Sequence, residues 1–78
     1  MTLITQSVRV ETGSLDEDGY LVFSDGKLVA VLVRLSEEQG AFVGQWYVEK
    51  GFGRLDVARH PIFPDMDEAQ SWVEQMLF

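Results

Sequence analysis

The sequence predicts an α+β fold in which an antiparallel sheet of about four strands, in meander order, packs against one C-terminal helix. Three observations predict it. Residues 4–10 alternate between two faces with a period of two, as a half-buried strand requires. Asp25-Gly26 separates two apolar runs, 20–23 and 28–35; a type I′ hairpin turn needs positive φ at both central residues, which Asp and Gly tolerate. Ala69, Trp72, Val73, Met76 and Leu77 recur at helical spacing behind Asp65, and Glu68 stands where a capping box places its acid.

Taken in order, the first strand, Ile4 to Val10, sets Ile4, Gln6, Val8 and Val10 on the face expected to be buried, and reads as an edge strand. Glu11 to Ser14 supply turn residues, and Leu15 to Gly19 form an acidic connection. Tyr20 to Phe23 is the second strand. The third, Leu28 to Leu35, places Val29, Val31, Val33 and Leu35 on one face and Leu28, Ala30, Leu32 and Arg34 on the other. A strand apolar on both faces belongs mid-sheet. After a polar loop at Ser36 to Gly40, the fourth strand spans Ala41 to Lys50, with Phe42, Trp46 and Val48 opposite Val43, Gln45, Tyr47 and Glu49. Gly51-Phe52-Gly53 reads as a bulge or bend. Leu55 to Ala58 offers brief pairing, and His60-Pro61 and Phe63-Pro64 hold the backbone extended. The helix that follows carries acidic residues in its first turn, which complement its dipole.

Composition limits the chemistry. A chain of 78 residues is expected to form a single domain over 1–78, with a thin core that gains from a staple. It has no cysteine for a disulfide or thiolate site and one histidine, too few for a nitrogen-rich zinc site, so neither a metal nor a cofactor is expected. Oligomerisation remains. A net charge of −7, from thirteen acidic and six basic residues, argues against direct binding of nucleic acid or an anionic membrane. No signal-peptide pattern, no bilayer-length apolar run and no Asn for a glycosylation sequon is present, so a reducing bacterial-type cytoplasm is the expected location.

The faces of the sheet carry the sharpest expectation. One helix covers one side, yet the middle strands are apolar on both. Exposed apolar surface forgoes about 25 cal/mol per Å². Three covers are open: the first strand with residues 54–64 folded over the face, curling of the sheet, or a second copy, of which a twofold homodimer is favoured.

Several motifs invite chemistry. Ser14, Asp16, Asp18, Gly19, Leu21 and Asp25 fall at the spacing of a calcium loop, although Ser replaces the first Asp and Asp the final Glu; an acidic β-turn is the expected reading. His60 has no nucleophile partner in the sequence, so no catalytic residue is assigned. Gly51-Phe52-Gly53-Arg54 resembles part of a phosphate loop but leads into no helix. Aromatic residues concentrate between Phe42 and Phe63 beside Arg54, Arg59 and His60. Trp, Tyr and Arg dominate binding hot spots. Phe42 and Trp46 are expected to join Trp72 and Met76 in the core, while Tyr47 turns to the opposite face; Tyr47, Arg54, Arg59 and His60 are therefore the candidate partner-binding residues.

The segments Gly19 to Phe23, Leu28 to Leu35, Gly44 to Gly53 and Phe63 to Val73 together resemble small uncharacterised bacterial proteins built of one antiparallel sheet and a terminal helix. The resemblance covers about three quarters of the chain, implies that fold and implies no activity. The functional expectation is a small non-enzymatic interaction or accessory module, homodimeric through a sheet face. Two alternatives stand beside it. One is a small-molecule binder with an apolar cavity between sheet and helix lined by Phe42, Trp46, Phe52 and Trp72; the other is an acidic mimic that inhibits a nucleic-acid-binding protein.

Overall fold

The computed structural model describes residues 3–78, apart from the side chains of Glu38 and Gln39. Met1 and Thr2 of the opening segment, and the Glu38 half of the Glu37-Glu38 acidic pair, lie outside the described residues. The strands β1 (Leu3–Arg9), β2 (Asp18–Ser24), β3 (Lys27–Arg34), β4 (Trp46–Gly51) and β5 (Ile62–Phe63) form one antiparallel sheet in sequence order, followed by helix α1 (Met66–Leu77). The expected α+β meander is present, with β1 at an edge and β3 in the middle.

Local chemistry explains the best-defined elements. Asp25 and Gly26 both take positive φ, 52° and 79°, and Ser24 pairs with Lys27 across the turn. Asp65 is extended, and its carboxylate accepts the Glu68 N–H at 2.9 Å, which caps α1. The alternation of the strands then sorts the core. Val22, Ala30, Leu32 and Val48 share the side facing α1 and meet Ala69 and Val73, each fully buried. Trp72, Met76 and Leu77 pack around this cluster, and the Trp72 ring lies 5.7 Å from that of Phe63.

Three expectations need correction. The fourth strand begins at Trp46 rather than Ala41, because a 3-10 turn occupies Glu37–Phe42 and Gly40 and Gly44 take φ of 58° and 83°. Phe42 is consequently 49% exposed and does not join Trp46 in the core. Leu55 to Ala58 do not pair in the sheet; Gly53–Leu55 form a short 3-10 turn that drives Leu55 into the core at 0% exposure. That turn runs so close beneath Gly51 that a Cβ there would collide with the Leu55 carbonyl. The added strand, β5, is only two residues long, and it aligns Trp46 with Phe63 and Tyr47 with Ile62.

Candidate functional site: the outer face of the sheet

The face away from α1 begins with residues whose neighbours in register are Gln6, Leu21 and Val31, and Val33, Tyr47 and Ile62. A register shift between Val22 and Phe23 lets Val29 pack against the helix-side core, so it leaves the stripe that alternation alone assigns to Val31, Val33 and Leu35. Ile4, Gln6 and Val8 also belong to this outer side. Ile4 is 59% exposed, and Thr5, Ser7 and Arg9 on the opposite face are exposed as well, so neither face of β1 is buried as its alternation predicts.

Part of the outer face is closed by the chain itself. Val33 and Leu35 are 1% and 7% exposed without any contribution from α1. The cover is the β1–β2 connection. Val10 donates its N–H to the Glu17 carbonyl at 2.7 Å, and its side chain lies against the bare backbone of Gly19, where a Cβ would come within 2.9 Å of Val10 Cγ2. Buried Asp16 accepts the Ser36 N–H at 2.6 Å, which fastens this connection to the end of β3. Ser14 in turn accepts the Asp16 N–H at 3.1 Å, and the Thr12 hydroxyl donates to the Asp16 carbonyl at 3.0 Å. The cover is thus the β1–β2 connection and not the first strand; of residues 54–64, Ile62 reaches this face beside Tyr47.

The same contacts dispose of the calcium-loop spacing. Asp16 is turned inward to Ser36, while Asp18 and Asp25 stand at the first residue of β2 and just beyond its last. At about 3.4 Å per strand residue they are roughly 24 Å apart. Ligands so placed cannot converge on one ion. Among the described residues, no three His, Asp or Glu side chains cluster where they could hold a metal ion.

Beside the cover, Val33, Leu35, Phe42, Tyr47 and Ile62 line an open groove of about 260 Å³, with Thr12, Ser14, Asp16 and Glu49 along its rim. Phe42 and Ile62 remain 49% and 39% exposed. A neighbouring groove of about 430 Å³ is lined by Leu15, Asp18, Arg34, Glu37 and Val43. An apolar floor with a polar rim is the anatomy of a protein-docking surface.

The four candidate partner residues are only partly brought together. Tyr47 sits on the outer face as expected, half-buried, with its ring 6.3 Å from that of His60. His60 and Arg59 instead line a groove of about 370 Å³ with Val57, Pro61, Trp72 and Met76, and His60 Nε2 is buried without a hydrogen-bond partner. Arg54 faces elsewhere. Its guanidinium donates to the Leu77 carbonyl at 3.3 Å, at the C-terminal end of α1. Sequence reasoning placed Val33 beside Tyr47 and Leu35 on the same face of β3, but missed Phe42 and Ile62, which the 3-10 turn and the short β5 hid.

The cavity set Phe42, Trp46, Phe52 and Trp72 is also divided. Phe42 lies in the outer groove, the Trp46 ring lies tilted against Tyr20 with centroids 5.3 Å apart, and Phe52 stands under the Lys50 ammonium at 5.6 Å. Asp16 is buried, Glu17 pairs with Arg9 at 2.7 Å, and Asp25 sits at the hairpin while Asp65, Asp67 and Glu68 open the helix.

Compared with known proteins, the chain matches no family model, no curated protein and no solved structure. No helix among the described residues is long and apolar enough to cross a membrane.

Proposed function

We propose that the protein is a small, non-enzymatic interaction module of the cytoplasm that self-associates through its sheet. One observation carries this reading: the two faces are closed unequally. On the helix side Val22, Leu32, Val48, Leu55 and Val73 are fully buried, whereas on the other Phe42 and Ile62 stay open beside Tyr47, with Val43 at 52% exposure on the margin and Ile4 exposed on β1. Isolated exposed apolar residues are ordinary on a protein surface; a group of them around a groove marks an interaction site. A chain of 78 residues without disulfides also has a thin core, so a second copy contributes proportionally more to its stability than it would to a large domain.

The test is thermal melting followed by the fluorescence of Trp46 and Trp72. Self-association makes the midpoint depend on protein concentration, by about 2.7 kcal/mol of stabilisation for a hundredfold excess over the dissociation constant. For a domain of this size that is a rise on the order of 10 °C. A midpoint that does not move over a hundredfold dilution series spanning the micromolar range overturns the proposal.

A further inference from the structure

The two edges of the sheet are built differently. Edge strand β5 is two residues long and is flanked by Pro61 and Pro64, residues that cannot donate to a new ladder. Edge strand β1 has no such guard. All seven of its residues, Leu3 to Arg9, pair in unbroken register with β2, and Ile4, Thr5, Gln6, Ser7 and Arg9 are exposed. A strand paired on one side turns alternate N–H and C=O groups outward, which is a template for another strand. It contains no proline, lysine or bulge. Its single charge, Arg9, is held by Glu17 at 2.7 Å and lies 4.0 Å from Asp18.

Resting on the self-association reading above, we propose that β1 pairs antiparallel with β1 of a second copy about a twofold axis through Gln6. The sequence of the strand is self-complementary in that register. Gln6 faces its own equivalent, Thr5 faces Ser7, Ile4 faces Val8 and Leu3 faces Arg9, so each of the seven residues has a partner. Ile4, the most exposed apolar side chain of the strand, gains an apolar neighbour on the outer face, and the two hydroxyls of Thr5 and Ser7 meet on the other. The two arginines are kept at opposite ends of the seam. A register centred on Val8 instead draws in Val10, whose N–H is already donated to the Glu17 carbonyl.

The arrangement joins two five-stranded sheets into one. A twofold axis normal to the sheet leaves both α1 helices on one side and both outer grooves on the other. The grooves at Tyr47 then lie side by side on one face of the joined sheet, so the edge pairing is compatible with a further contact between copies through that face.

The chain has no cysteine, so single substitutions introduce the only thiol. Directly opposed Cβ atoms in such a pair come close enough for a disulfide. Under mild oxidation with glutathione, Gln6→Cys is expected to form a covalent dimer about tenfold faster than Ile4→Cys or Val8→Cys, whose equivalents are four residues out of register. Mixed together, Ile4→Cys and Val8→Cys are expected to cross-link with each other. The double variant Thr5→Lys/Ser7→Lys, at two exposed positions, sets like charges opposite one another and is expected to sediment as a monomer with an unchanged circular dichroism spectrum. Equal cross-linking rates at positions 4, 6 and 8 overturn the edge pairing. If such a protein is nevertheless dimeric by sedimentation, self-association stands and the edge is the wrong contact; if it is monomeric, both readings fail.

Discussion

Replacing Asp16 by alanine removes the acceptor that fastens the β1–β2 connection across the outer face. Asp16 is 7% exposed, and its Oδ1 accepts the Ser36 N–H at 2.6 Å. A hydrogen bond to a charged acceptor contributes about 1.5–3 kcal/mol. With about 2 kcal/mol lost, a domain of this size melts on the order of 10 °C lower. Asp16→Asn keeps an oxygen acceptor in place and loses only the assistance of the charge, so its cost is about 1 kcal/mol. The assay is thermal denaturation by circular dichroism, paired with amide exchange at Ser36, whose protection falls in the alanine variant and is largely retained in the asparagine variant. A midpoint within about 2 °C of the parent, with Ser36 still protected in Asp16→Ala, refutes the argument that this carboxylate anchors the cover.

Three further substitutions probe the other side of the sheet. Leu55→Ala empties a fully buried position between the sheet and α1 and is expected to cost about 2–5 kcal/mol in urea unfolding, with an unchanged m-value. Gly51→Ala drives a methyl group into the Leu55 carbonyl, a backbone atom that cannot step aside, and is expected to destabilise by about 2 kcal/mol or more although the change is a single methyl. Asp65→Ala removes the N-cap of α1, and thermal melts are expected to show a loss of about 1 kcal/mol.

The elements whose information is local were legible in the sequence. The Asp25-Gly26 hairpin follows from two adjacent residues, and α1 from a cap and an apolar stripe within thirteen residues (65–77). The central place of β3 was legible for the same reason, since both of its faces are apolar. What escaped depends on contacts distant in sequence. The cover on the outer face rests on Asp16 reaching Ser36, and the acidic run around Asp16 reads locally as a solvated turn. Phe42 has strand-like neighbours, but left-handed glycines on either side bend the chain before Trp46 and turn that ring outward. Leu55 reaches the core because Gly51 lets its turn approach closely, a requirement that two separated residues share and neither shows alone. Of the candidate partner residues, Tyr47 was placed correctly by alternation within β4. Arg54 was grouped with it by proximity in sequence, whereas the structure commits its guanidinium to the end of α1.

Sedimentation equilibrium of the unmodified chain is the most direct test of the central claim that this sheet associates with a second copy. Because each chain carries a net charge of −7, the measurement belongs at two salt concentrations, where screening weakens the mutual repulsion of the copies. Self-association gives a mass that rises with concentration from 8.8 kDa toward twice that value, and rises further when salt is added. A single 8.8 kDa species throughout the micromolar range at both salt concentrations contradicts it.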